Sequence, residues 1–406
     1  MALPAEVNSA ESGFRLGTDG GGDCGPWTHE GRLFGLFIDN ANINLEVWYD
    51  DGSSRGENFA EADAANHPAV NSVDRYAAGT PVGDTLWIVF ADSSSNLVAI
   101  PFSFTDLVFG SPITGGPEQN AITGWEDPLA VVAIPGNRLR IFHNGAFGAT
   151  NGSAQTHFVD LDVIAGTWGT DTVVEDSPDV SGTDCVSAGL LLGSGGLTHA
   201  FYVREVSSTG EVQLLHRSIS SDGGTLGTEQ EILNEPTIGT FQQFIGDRRY
   251  DVVGAVVKLA VPYFDNATGS PSRYPLRVFL TDSETDPTWT DESIGAEPVG
   301  TADTPSMAAC WIGSQLHVAM TAMASADLPH GAGDNDLYRV SDSGSGWGTP
   351  VVVVDDASIS LDNCRARWID VGLGMFYVRS LKPWYTEVAI DPCSGGSPVN
   401  LIGAAY

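Results

Sequence analysis

The sequence predicts an all-β chain folded as a β-propeller of about seven four-stranded blades, with six as the alternative count. Three observations carry this expectation. A turn followed by an apolar strand, with glycine in six of the seven turns, recurs between Gly31 and Gly372, 341 residues in six steps, so one repeat takes about 57 residues. Four of the repeats close on segments that can be laid over one another, beginning at Asp162, Ser220, Thr281 and Ser341. The 48 Gly and 22 Pro among 406 residues mark many turns, and a hydrophobic content of 42% supplies a core that a disordered chain lacks. A period of this length suits four short strands and their connections.

Within a repeat the first strand is apolar on both faces, as in residues 129–134, 186–193, 252–257, 307–312 and 365–371. That is the pattern of a strand buried between neighbouring sheets. A tight turn leads to the second strand, in residues 31–38, 83–90, 136–142, 196–203, 257–264, 313–320 and 372–378. Glycine suits the turn because φ > 0 costs it little. The third strand alternates apolar with polar residues, as in 212–218, 276–282 and 337–342, and is expected to be more exposed. A closing turn and an edge strand complete the repeat, with weaker versions after Asp50 and Thr105 in the first two. Residues 1–20 are expected to form an N-terminal arm or closing strand and residues 21–406 the propeller.

In the closing turns an Asp or Ser side chain can accept from backbone amides and glycine supplies left-handed backbone. Trp168, Trp289 and Trp347 are expected to pin each turn onto its own blade. These hairpins resemble the Asp-box of sialidase-like propellers, Ser-x-Asp-x-Gly-x-Thr-Trp, in four repeats, none filling every position. The resemblance implies a propeller and places such boxes away from the active site, so it bears on fold and not on activity. A sialidase would also carry an early Arg-Ile-Pro motif, and Phe14-Arg15-Leu16-Gly17 has no proline. The architecture further resembles propellers in the tails of short-tailed phages, where a ring of them forms a nozzle, by fold-level analogy alone.

A four-stranded repeat cannot bury both faces by itself. Seven stacked radially close a ring without long open edges. A linear solenoid is the competing arrangement, and its coils are usually shorter than this period.

The formal charge is -34, from 52 acidic against 18 basic residues, of which only Lys258 and Lys382 are lysine. A surface of this sign repels a phosphate backbone, so no nucleic-acid partner is expected. No run approaches the roughly 18 to 20 apolar residues needed to span a bilayer, so no membrane insertion is expected. The N-terminus lacks the basic and apolar regions of a secretory signal, which points to synthesis in the cytosol. Five cysteines without a C-x-x-C suggest free buried thiols.

Chemistry is sparse. His143, His199 and His317 fall in second strands at similar positions, the mark of packing, and no H-E-x-x-H or H-x-H occurs; neither a metal centre nor a cofactor is expected. Gly52-Ser53-Ser54-Arg55-Gly56 has the form of a nucleophile elbow but lies in a hairpin turn, without the strand-to-helix setting such an elbow needs. Asn151 and Asn266 head glycosylation sequons, and Asp334-Asn335-Asp336 offers a polar turn that could hold calcium.

One constellation stands out: a carboxylate near the head of each first strand, at Asp23, Asp74, Asp127, Asp184, Asp251, Asp303 and Asp362. In a propeller these ends gather around the central channel. If the chain is an enzyme, Asp74, Asp127, Asp184 and Asp251 are the candidate catalytic carboxylates. Trp125, Tyr76 and Tyr250, with Arg75 and Arg249, are the candidate binding residues, able to stack on or hydrogen-bond a sugar. The competing reading is that one Asp per repeat at a fixed register caps a turn.

Three functions follow in order of preference. The first is a non-catalytic structural or adhesive component of a virion or extracellular assembly, partnered by other protein subunits in a symmetric ring. The second is a sialidase-like or other propeller glycoside hydrolase. The third is a lectin-like module binding a surface glycan or a protein.

Overall fold

The computed structural model describes residues 5–6, 14–15, 24–39, 42–50, 59–70, 77–119, 129–146, 154–175, 183–206, 211–235, 249–253, 256–264, 276–281, 283–284, 287–293, 307–312, 315–323, 335–342, 346–355, 359–368, 372–379 and 382–389. Its strands form seven antiparallel sheets of four or five strands each, following one another along the chain. Sheet 1 holds Phe14–Arg15 and Trp27–His29, both against Arg32–Asp39, then Asn44–Asp50 and Phe59–Glu61. Sheet 2 is Ala77–Val82, Thr85–Ala91, Leu97–Ser103 and Val108–Phe109. Sheet 3 is Ala130–Ile134, Arg138–Ala146, Ala154–Asp162 and Thr167–Trp168, with Thr172–Val173 also on its third strand. Sheet 4 is Thr183–Leu192, Thr198–Val206, Glu211–Ile219 and Gln230–Glu235. Sheet 5 is Arg249–Val253, Val256–Phe264, Leu276–Thr281 and Thr290–Ser293; sheet 6 is Met307–Ile312, Gln315–Met323, Asn335–Ser341 and Val351–Asp355. Sheet 7 is Ile359–Trp368, Gly372–Arg379 and Lys382–Ala389, and its fourth strand is Ala5–Glu6, paired as Ala5 with Tyr385 and Glu6 with Trp384.

Each sheet touches the next, and Phe14–Arg15 of sheet 1 touches Lys382–Ala389 of sheet 7. The ring therefore closes, and the fold is a β-propeller. Closure removes the open edges that a single four-stranded sheet would leave. The core lies in the seams between sheets. Trp27, Phe34 and Leu36 of sheet 1 pack on Leu86, Phe102 and Phe104 of sheet 2, and Leu139, Ile141 and Val159 of sheet 3 pack on Val89 and Ala99 of sheet 2. At the closing seam Phe37 meets Phe376 edge-on, with ring centroids 5.3 Å apart, and Tyr385 joins them. Gly35 makes that approach possible: a Cβ there would stand 2.8 Å from ring carbons of both Phe37 and Phe376. Gly35→Ala is expected to cost about 1–3 kcal/mol through overpacking, read as a lower denaturation midpoint.

Consecutive antiparallel strands give each sheet two ends. The turns joining strands one to two and three to four lie at a hairpin end. Strand two joins three, and each sheet joins the next, at a crossover end. The expected hairpins form as tight turns: Glu30 with Gly31, and Gly136 with Asn137, all have φ > 0, the pattern of a type I′ turn.

Two expectations about packing are corrected. The third strands are not the exposed ones: Leu214, Leu215 and His216 in sheet 4 and Leu337, Tyr338 and Val340 in sheet 6 are buried, because both faces of a blade pack on neighbours. The turn tryptophans of sheets 3, 5 and 6 each contact the preceding sheet. Trp168 of sheet 3 donates its indole N–H to Thr114 O at 3.1 Å, and Trp347 of sheet 6 donates to Glu292 of sheet 5 at 3.2 Å. The Trp289 ring packs on Phe201 and His216 of sheet 4.

The turn itself behaves as its composition suggests. In sheet 4 Asp222 Oδ1 accepts from Ser220 Oγ and Gly224 N, and Ser220 Oγ accepts from Thr225 N. A glycine after the aromatic or apolar residue is a further shared element: Gly110, Gly169, Gly227 and Gly348 each donate N–H to a third-strand carbonyl, Pro101, Asp160, Ser218 and Ser341. The second repeat, weak in sequence, thus uses the same lock.

Candidate functional site

The ionisable side chains fall into two groups according to the end of the propeller they occupy. At the hairpin end they join blades. Arg140, fully buried, forms a bidentate pair with Asp160 at 2.7 and 2.9 Å, and reaches into sheet 4 to Thr198 Oγ1 at 2.9 Å and Ser220 O at 2.7 Å. The next seam uses Glu284 of sheet 5, which accepts from Ser194 N at 2.8 Å and Ser194 Oγ at 2.5 Å and lies 3.3 Å from His199 Nε2. Burial alone would raise the Glu284 pKa, but these hydrogen bonds outweigh it and hold the carboxyl below its ordinary range. His199 Nδ1 is in turn 2.9 Å from His216 Nε2. The Ser194 hydroxyl bonds Oε2 of the carboxylate and His199 approaches Oε1, and the two are joined only through Glu284, so the set lacks the serine-to-histidine contact of a hydrolytic triad and serves as a seam.

At the crossover end three clusters of described residues each gather on one sheet. On sheet 4 a row of planar groups crosses three strands. Arg204 donates from Nε to Gln213 Oε1 at 2.9 Å and from Nη2 to Glu229 Oε1 at 2.9 Å, while Tyr202 donates to Glu229 Oε2 at 2.5 Å. Gln213 Nε2 continues the row to Glu231 Oε2 at 2.8 Å. Arg204 and Glu229 are largely buried, Glu231 is open to solvent, and Arg204 Nη1 is a buried nitrogen without a hydrogen-bond partner. On sheet 3 Asp171 accepts from His143 Nε2 at 3.0 Å and His157 Nδ1 at 2.9 Å. Burial works to raise Asp171, yet both imidazole hydrogen bonds and their charge hold it well below the carboxylate range. On sheet 1 Glu46, Glu61 and His67 bring one donor atom each within 4.8 Å of one another.

Of the residues expected to carry function, Asp74, Arg75, Tyr76, Trp125 and Asp127 lie outside the described residues, as do Asp23, Asp303, the 52–56 turn and both sequon asparagines. Asp184 sits near the head of its first strand opposite Glu205, and Arg249, Tyr250 and Asp251 lie in theirs opposite Ala260, Leu259 and Lys258. These two first strands touch. Asp184 lies at the crossover end, eight residues before the hairpin-closing pair Leu192–Thr198, whereas Asp251 lies two residues before Val253–Val256, nearer the hairpin end, so the fold does not bring the two positions to one end. The histidines share no register position: counted from the hairpin-closing pairs Ile134–Arg138, Leu192–Thr198 and Ile312–Gln315, His143, His199 and His317 fall at different depths. Of the 334–336 segment Asp334 lies outside the described residues, and Asn335 and Asp336 are not in a turn. They begin a strand, and Asp336 is fully buried and accepts from Tyr338 OH at 3.0 Å.

Sequence reasoning missed both the Arg204 row and the Glu46 cluster. Arg204–Gln213 is a directly opposed cross-strand pair, legible once the hairpin register is known. Glu46, Glu61 and His67 are spread over 22 residues with no motif spacing to join them.

No protein-family model and no curated protein matches the chain. Solved structures do. A triple arginine mutant of AofleA from Arthrobotrys oligospora aligns over 86% of this chain and 94% of its own, with 10% identity and a TM-score of 0.50. A fungal lectin from Aleuria aurantia, described as a six-bladed β-propeller, covers 86% of this chain and 97% of its own at 11% identity and a TM-score of 0.44. The α-L-arabinofuranosidase of Fusarium graminearum covers 77% and 92% at 10% identity and a TM-score of 0.46. At this identity the likeness is one of fold, and it agrees with the sheet topology in making the chain an all-β propeller.

Proposed function

We propose that the chain is a non-catalytic propeller that binds neutral glycans at its crossover end. The observation that carries this reading is the Arg204–Gln213–Glu231 row with its Tyr202–Glu229 support. Sugar hydroxyls are held by donors and acceptors at fixed positions, and planar side chains locked by one another offer both at little entropic cost on binding. The row meets solvent at Glu231, whose carboxylate accepts, and at the half-exposed Gln213. The charge of -34 favours neutral over acidic sugars, which it would repel. Fold by itself does not choose between binding and hydrolysis, since the structures it resembles include both lectins and glycoside hydrolases. The lectins and glycoside hydrolases among them are not virion components, so the likeness lends the assembly role no support.

The test is a panel of neutral glycans, followed by calorimetry on the best binder. Arg204→Ala and Gln213→Ala are each expected to weaken binding at least about tenfold, or about 1.4 kcal/mol, with the fold unchanged by circular dichroism. Unaltered affinity in both variants would remove the sheet 4 row from the site. Release of sugar that is lost in Asp184→Asn or Asp251→Asn would replace the binding reading with hydrolysis.

A further inference from the structure

We infer that Glu46, Glu61 and His67 form a binding site for a first-row divalent cation at the crossover end of sheet 1. The fold assembles it from three places. Glu46 lies near the start of the third strand, Glu61 ends the fourth, and His67 follows in the connection towards sheet 2. That connection is fixed on both sides. Leu45 N donates to Pro68 O at 2.9 Å and Val70 N to Ile43 O at 3.0 Å, while Asp63 Oδ2 accepts from Phe109 N of sheet 2 at 3.0 Å. The imidazole is therefore delivered to the two carboxylates by a tethered backbone.

The donor geometry points to an ion. His67 Nε2 is 2.9 Å from Glu61 Oε1, yet the approach lacks hydrogen-bond alignment and the buried nitrogen has no hydrogen-bond partner. The other ring nitrogen faces Glu46 Oε1 at 3.9 Å. The His67 side chain is only 9% exposed, so water does not compensate it, whereas Glu61 at 28% leaves a way in for an ion. Glu46, 4% exposed, is oriented by the Trp48 indole N–H on its second oxygen at 2.8 Å, the kind of outer-shell contact that fixes a ligating carboxylate. A set of one imidazole and two carboxylates suits zinc or manganese better than calcium, which takes six to eight oxygens. Three protein donors leave at least one position on the cation for water or another ligand.

The test uses the full chain, stripped with a chelator and titrated with zinc, manganese and calcium chlorides. One equivalent of zinc or manganese is expected, with calcium at least tenfold weaker, and Glu61→Gln and His67→Gln are each expected to lower zinc affinity at least tenfold. Equal zinc binding in both folded variants, or no binding by the parent, would overturn the site. X-ray absorption of the zinc-loaded parent gives an independent readout that needs no variant. A shell with one imidazole and the rest oxygen supports the site; two or more imidazoles would place the ion at His143–His157 or His199–His216 and refute it.

Discussion

Replacing Arg140 with methionine is expected to destabilise the protein by about 3–5 kcal/mol, among the largest effects of any single change in the described residues. The reason is what stays behind. Arg140 is fully buried between sheets 3 and 4, and its guanidinium neutralises Asp160 while donating to the Ser220 carbonyl and Thr198 hydroxyl of the next blade. It also lies over the Phe158 ring, 5.0 Å from the centroid. Methionine keeps much of the apolar stem but leaves a poorly solvated carboxylate and an unmatched carbonyl, and removing one partner of a buried pair costs in this range. Arg138 Nη1, 3.3 Å from Asp160 Oδ2, compensates in part and sets the lower end. The double variant Arg140→Met with Asp160→Leu is expected to recover a large share, because no charge is then stranded. Guanidinium unfolding of the two single variants and the double gives the coupling energy. A loss below about 1 kcal/mol for Arg140→Met would mean that the seam is held by its apolar contacts alone.

That pair shows where the sequence was readable and where it was not. The blade repeat was legible because it rests on local pattern: an apolar strand, a turn, a second apolar strand. Gly136 and Asn137 turn where the period puts them. What a side chain does across a seam depends on the neighbouring blade, about 57 residues away, and no period announces it. Trp168 reads as part of its own hairpin but bonds Thr114 of the blade before. Arg140 stands in a run read only as a second strand, and it is the most deeply buried charge of the seam. The carboxylates near the heads of the first strands were found by counting along the repeat, which does not fix depth within a strand: Asp184 lies at the crossover end and Asp251 nearer the hairpin end. The Arg204 row could not be found that way, since it needs the pairing of Arg204 with Gln213 and the turn that returns Glu229 beside them.

Stability is also expected to fall by about 4 kcal/mol between pH 7 and pH 5 through two buried histidines, relative to a variant lacking both. Burial, and then the charge of His199, push His216 down to about 3; burial, and then Arg339, push His317 down to about 4. Neither ring nitrogen of His317 has a hydrogen-bond partner, so nothing rewards its protonation. In the unfolded chain both rings titrate near 6.5. Below that pH the unfolded state binds protons that the folded state refuses. Their stabilising contribution is thus complete above 6.5 and is lost as pH falls towards 3 to 4. Each unit is about 1.36 kcal/mol per group, which gives about 2 kcal/mol per histidine at pH 5. Asp171 and Glu284 do not mimic this slope: their pKa values are lowered, so their contribution persists above the ordinary carboxylate range and fades only in stronger acid. Relief of self-repulsion in a chain of charge -34 acts in the opposite direction as carboxylates protonate. The comparison that isolates the effect is the parent against His216→Gln with His317→Gln. The parent is expected to take up about two more protons on unfolding at pH 5 than the double variant, measured by calorimetry in buffers of different ionisation heat. Parallel stability curves for the two proteins between pH 7 and 5 would show that these rings are protonated in the folded state after all.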